Sequence, residues 1–344
     1  MTPLNNIVVG LDLTASSSGA MGQAWRIAAR NGAVLHSIHA IEPSVVGEVL
    51  AFVGLGREQS WNVMKDRARE IAQRMAEEIG GENIGRDTAL ATAVCGQVDV
   101  EVGVPLDVLA RAVDAYRADL LVLGVSSPDR TARGPGPVAT ACLRHVPTDV
   151  LLARDNHTGA YRSVVACTDF SETSFRAVEM AVRVARFDKA ALRIVHIAIP
   201  PSVDLDYSGD PLGMWPRKPI QFMDSWNAYR ASLGPRLVEF VEPLSAELST
   251  IDFKLDISEH GHYGRGIAAY AREHGADLLV LGNQGRTNLR YALVGSTAER
   301  VLAELPCSAL VIKQIQARRA DGTRPGGHES EAGPQEQLAA RWMM

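Results

Sequence analysis

Short runs rich in valine, isoleucine and leucine alternate along the chain with longer segments whose apolar residues recur at helical spacing. Apolar runs bounded by turn residues read as buried strands, and the amphipathic segments between them as helical crossovers. In the second half the pattern predicts strands near residues 162–168, 191–198, 252–258, 277–282 and 307–312, with helices near 172–186, 221–248, 263–274 and 296–304. The first half gives the same count. Such alternation argues for a parallel sheet covered on both faces. The right-handed crossover rule then favours a doubly wound sheet, and five strands per half suit the order 3-2-1-4-5.

The two halves are copies of each other. The stretch ADLLVLG occurs at Ala118–Gly124 and again at Ala276–Gly282. Around it, Asp12 closes NNIVVGLD as Asp169 closes RSVVACTD, His39 matches His196, Gly103 matches Gly261 and Pro147 matches Pro306. The offset drifts only from 157 to 159 residues, so the sequence reads as a tandem duplication with a polar seam, DNHTGA, at 155–160. Expected domains are 1–155 and 160–314, followed by a polar, Gly- and Pro-rich tail at 315–344 that is expected to be disordered. The stretch 200–219, PPSVDLDYSGDPLGMWPRKP, is expected to form a long surface loop.

Composition narrows the choice of partners. With 344 residues, 46% of them hydrophobic, each half is large enough to bury its own core. A net charge of −5 supplies no basic footprint for a phosphate backbone, so no nucleic acid partner is expected. The start, MTPLNNIVVGLDLT, has no basic stretch and its apolar run is cut by Asp12. Neither a secretory signal nor a membrane span is expected, and cytoplasmic residence follows. Cys95, Cys142, Cys167 and Cys307 lack CxxC spacing and are expected to be reduced, half-buried thiols without zinc.

Candidate chemistry follows the second ADLLVLG. In GNQGRTNLRYALVGSTAER, Gly282, Gly285 and Gly295 precede Ser296 and Thr297, where a helix begins. Glycines let backbone N–H groups approach a ligand closely, and a helix N-terminus adds unpaired donors and partial positive charge. Together they form a plausible phosphate cradle. In a 3-2-1-4-5 sheet the order reverses between strands 1 and 4, so Thr168 and Asp169 would meet the glycine loop at one mouth. A carboxylate there suits ribose hydroxyls. Equally, Asp169 in DFSETS and Asp12 in DLTASS read as helix N-caps.

With these residues the sequence resembles the universal stress protein (UspA) family. The run Asp277–Lys313 is similar to the signature of its ATP-binding branch, G-x2-G-x9-G-[S/T], including the Arg after the second Gly and the STAERVL helix. The likeness covers nearly the whole chain up to about residue 314. It implies two tandem doubly wound α/β domains, Rossmann-like and adenine nucleotide alpha hydrolase-like, each with a five-stranded parallel sheet. It further implies that Thr168, Asp169, Gly282, Gln284, Gly285, Arg286, Gly295, Ser296 and Thr297 contact the phosphates and ribose of ATP, with or without Mg2+. The backbone of Ile197 would meet adenine. The DVLLA and SALVI edges would pair within the chain, with a homodimer or an unidentified protein partner as further assembly. The implied role is a stress-response binding protein rather than an enzyme. A slow ATP hydrolase or phosphotransferase is one alternative, although no Walker lysine or acid–base pair stands out. A nucleotide-free scaffold is the other.

The first half departs from this signature. In GVSSPDRTARGPGPVATA, Ser127 stands where the second glycine is expected, the loop is one residue shorter, and Gly136 is followed by Pro137. Proline brings neither an N–H nor a hydroxyl. A degenerate site is expected there, even though Asp12 is retained. His260 and His262 lack a third ligand and are expected to be solvated, as is Arg290. His36, His39 and His196 are expected to pack or make structural hydrogen bonds.

Overall fold

The computed structural model describes residues 4–43, 62–71, 74, 98–125, 134–155, 157, 159–200, 220–285 and 295–314. Arg286, Arg290, Cys95, Ser127, nearly all of the 200–219 stretch and the 315–344 tail therefore lie outside the described residues.

In the first half the strands are β1 (Asn6–Leu11), β2 (Val34–Ile41), β3 (Asp99–Val102), β4 (Leu120–Val125) and β5 (Asp149–Arg154). In the second they are β6 (Ser163–Cys167), β7 (Ala191–Ala198), β8 (Phe253–Glu259), β9 (Leu278–Gly282) and β10 (Ser308–Ile312). All ten form one sheet in the order β3-β2-β1-β4-β5-β10-β9-β6-β7-β8. Each half thus has the expected 3-2-1-4-5 order, with parallel pairing throughout. The halves join where β5 and β10 run antiparallel, Leu151 opposite Leu310.

The helices are α1 (Ala15–Asn31), α2 (Pro105–Tyr116), α3 (Pro137–His145), α4 (Glu172–Asp188), α5 (Ile220–Val241), α6 (Tyr263–Glu273) and α7 (Ser296–Glu304). Strand residues alternate between two cores, as a pleat with period two requires. Ile7, Val9, Val164 and Ala166 pack under α1, α4 and α5, whereas Val8, Val165 and Cys167 pack under α2, α3, α6 and α7. Both faces being covered explains why these strands read as continuous apolar runs.

One expected helix is interrupted. The segment expected as a single helix over 221–248 leaves α-geometry at a 3-10 turn, Glu242–Leu244, and resumes at Ser245–Leu248. Pro243 has no N–H to donate, and its ring crowds the preceding turn.

Side chains also stitch the halves together. The Arg154 N–H donates to Ser308 Oγ at 3.1 Å, and its guanidinium reaches the Leu305 carbonyl. The Lys313 N–H donates to Asp149 Oδ1 at 2.8 Å, while its ammonium reaches the Leu143 carbonyl. Burial pushes the Lys313 amine down to about 8, Asp149 and Cys142 offsetting only part of the effect. Cys142, Cys167 and Cys307 are fully rather than half buried, and burial raises all three thiols, Cys142 to about 11 and Cys307 to about 12. Among the described residues no helix is long and apolar enough to cross a membrane.

Candidate functional site

The second-half crevice begins where β6 ends. The Thr168 N–H donates to the Val195 carbonyl at 3.0 Å, and Thr168 Oγ1 accepts from the Phe170 N–H at 2.9 Å. Asp169 Oδ1 accepts from the Ser171 N–H at 3.0 Å, an Asx turn. Ser171, not Asp169, is the N-cap of α4, and its side chain accepts from the Ser174 N–H. In the first half Thr14, not Asp12, caps α1. The N-cap reading of both aspartates is therefore corrected. Phe170 and Leu13 have φ of 63° and 59°, so the chain turns through the left-handed region after each aspartate and the helix starts beyond it.

β9 delivers the glycine loop to the same mouth. It runs beside β6, Ala166 opposite Val280, which places Gly282 level with Thr168. A β-carbon on Gly282 would stand 3.0 Å from the Thr173 methyl and 3.4 Å from the Gln284 carbonyl oxygen. One on Gly285 would stand 2.5 Å from Asp169 Oδ2. The carboxylate ending strand 1 and the second glycine of the motif are thus in direct apposition.

A residue that the motif did not flag closes the loop. Asn283, only 5% exposed, donates its N–H to the Ile312 carbonyl at 2.8 Å and accepts the Gly295 N–H on its own carbonyl at 2.7 Å. Its side-chain Oδ1 accepts from the Gln314 N–H at 3.0 Å. Asn283 thereby fixes the start of α7 against the end of β9. Its position immediately after the strand glycine, as a residue type that readily bonds backbone, was the available clue.

Gly295 is the N-cap of α7, without a side-chain cap bond; Ser296 is exposed and Thr297 half-buried. The Thr297 carbonyl rests against α6, 3.1 Å from where a β-carbon on Gly264 would lie. Ile197 sits one strand over, on β7, with its side chain 3% exposed beneath α6. Thr168, Asp169, Gly282, Gln284, Gly285, Gly295 and the first turn of α7 therefore gather at one mouth, with Ile197 on the neighbouring strand. Arg286 lies outside the described residues.

The model of the universal stress protein family matches residues 3–154, 160–214 and 250–313. The chain belongs to the universal stress protein family. A universal stress protein of Methanocaldococcus jannaschii is 28% identical over 163 residues, covering 46% of this chain and 86% of its relative. The crystal structure of a universal stress protein from Archaeoglobus fulgidus covers 90% of this chain and 96% of its own, with a TM-score of 0.57 at 19% identity, a likeness of fold. A universal stress protein in complex with cAMP matches 45% of this chain and 98% of its own, at 24% identity and a TM-score of 0.32.

Within this universal stress protein the first half arranges equivalent residues differently. The Asp12 carboxylate accepts from Ser17 Oγ at 2.6 Å, Thr14 Oγ1 at 2.7 Å, the Thr14 N–H at 3.0 Å and Ser16 Oγ at 3.1 Å. Burial pushes this carboxyl up, but those hydrogen bonds together outweigh it and hold Asp12 below the usual carboxylate range. Its acceptor capacity is turned inward onto the start of α1. Gly124 is sealed as well, since a β-carbon there would stand 2.3 Å from the Ser16 carbonyl oxygen. α3 opens on Pro137 with no side-chain cap bond.

The histidines have structural partners. His39 Nδ1 bonds the Leu11 carbonyl and His196 Nδ1 the Thr168 carbonyl, each at 2.8 Å, an equivalent pair in the two halves. His36 stacks on Tyr116 with ring centroids 3.7 Å apart. His260 Nδ1 accepts from the His262 N–H at 3.2 Å, and no cluster of three or more metal-binding side chains occurs among the described residues.

Proposed function

We propose that the second half binds ATP, with or without Mg2+, in the crevice beyond β6 and β9. The protein would act in the cytoplasm as a stress-response binding protein whose occupancy is read by a second copy of the chain or by a protein partner. The observation that carries this reading is the apposition of Gly285 and Asp169, in which the carboxylate takes the space that a β-carbon would need. Glycine there lets the carboxylate close against the loop at the switch point of the sheet, where ligands bind.

On this reading the phosphates lie against Gly282, Gly285 and the first turn of α7, where Ser296 and Thr297 add hydroxyl donors to the helix N–H groups. Asp169 accepts ribose hydroxyl hydrogens, and the backbone of Ile197 borders adenine. The first half stays empty of ATP, because Asp12 is engaged by Thr14, Ser16 and Ser17 and Pro137 replaces the first hydroxyl of the helix. Bound ATP would supply the charge that α7's first turn neutralises; no catalytic step is assigned to the chain.

The test is calorimetric titration of nucleotide-freed protein with ATP. Binding that survives Asp12→Ala and disappears in Gly282→Val is expected. Undetectable binding by the nucleotide-freed wild type rejects the proposal.

A further inference from the structure

A second cleft lies at the other end of the strands, between the halves. α1 and α4 each cover their own half, and over the β5–β10 junction they leave an opening of about 600 Å³, counting its mouth. Its floor is leucine, Leu151 and Leu310 among them, and Ile27, Met180 and Val184 form apolar walls. The cleft is bordered by the starts of β4 and β9 at Leu120 and Leu278, away from the carboxyl ends that carry the nucleotide crevice.

The lining also carries basic side chains, Arg26 and Arg30 of α1 and Arg183 of α4. The one carboxylate lining the cleft, Asp188, is already engaged. It accepts from Arg26 Nη2 at 2.9 Å, from Arg30 and from the Tyr161 N–H at 2.8 Å. Arg183 donates to Asn31 Oδ1, and Glu179 nearby supports its charge. Three guanidiniums and one carboxylate thus line the cleft, with Glu179 beside Arg183.

One buried donor there lacks an acceptor: among the described residues Arg26 Nε has no hydrogen-bond partner. A buried donor left unmade is costly, and an anionic acceptor is the partner that a guanidinium binds most strongly. An apolar trough lined by guanidinium donors matches an alkyl chain bearing a carboxylate.

We propose that the cleft between α1 and α4 binds a fatty acid. Its carboxylate faces Arg26, Arg30 and Arg183, and its chain lies along the leucine floor. This site is independent of the nucleotide crevice, so failure of one leaves the other standing.

The experiment titrates the full chain with decanoate, decanol and decylamine, followed by calorimetry. Saturable one-to-one binding of decanoate is expected, tightening about fourfold per methylene from octanoate to decanoate. Decanol should bind about tenfold more weakly and decylamine not at all. Arg183→Gln should weaken decanoate but not decanol. Val184→Trp and, separately, Met180→Trp should fill the cleft and block both, in proteins whose melting temperatures show them to be folded. Absence of saturable decanoate binding, equal affinity for all three amphiphiles, or unchanged decanoate binding by folded Val184→Trp and Met180→Trp proteins overturns the proposal.

Discussion

A β-carbon on Gly285 would stand 2.5 Å from Oδ2 of Asp169, although the two residues belong to different βα units. The obstructing atom is the tip of a side chain, so Gly285→Ala should fold and displace the carboxylate. Loss of a hydrogen bond to a charged acceptor costs about 1.5–3 kcal/mol, or roughly tenfold to a hundredfold in affinity. ATP titration and thermal melting of Gly285→Ala should show weakened binding with little change in melting temperature. Wild-type affinity in this variant would contradict the placement of ribose at Asp169.

The glycine that ends each ADLLVLG copy separates core from site. In Gly124→Ala the new β-carbon meets the Ser16 backbone at 2.3 Å, and α1 must move; in Gly282→Ala it meets the Thr173 methyl at 3.0 Å. Overpacking of the first kind costs about 1–3 kcal/mol or more. Urea midpoints should therefore fall further for Gly124→Ala than for Gly282→Ala. The reverse order would show that the first-half glycine is not sealed by its own helix.

Much of this was legible in the sequence, because apolar periodicity and the tandem offset report the same buried sheet. The expected strands at 191–198 and 277–282 correspond to Ala191–Ala198 and Leu278–Gly282, and the helix expected at 296–304 is Ser296–Glu304. The meeting of Asp169 with the glycine loop was expected from strand order, whereas its contact with Gly285 in particular was not. Less visible were features set by backbone geometry or by long-range packing. The positive φ of Phe170 moves the cap to Ser171, Pro243 breaks a helix that reads as continuous, and Asn283 ties β9 to α7 through backbone groups. The cleft between α1 and α4 depends on how two distant helices straddle the junction, which no local pattern encodes.

Lys313 gives the fold a pH signature. Its folded-state value, about 8, lies below the ordinary 10.5, so between these values the unfolded chain binds more protons than the folded one. Stability should then rise with pH through that window, relative to a Lys313→Met variant, and the difference should be flat below about pH 8. Urea unfolding of both proteins at pH 7.5 and pH 10 measures it. A difference independent of pH would mean that the ammonium is not held in a desolvated seam.

The central claim is one duplicated fold with one nucleotide site, and native mass spectrometry of the ATP-saturated protein tests it most directly. A mass increment of one ATP per chain, lost in Gly282→Val and kept in Asp12→Ala, is the predicted result. Two nucleotides per chain, or none, would contradict it.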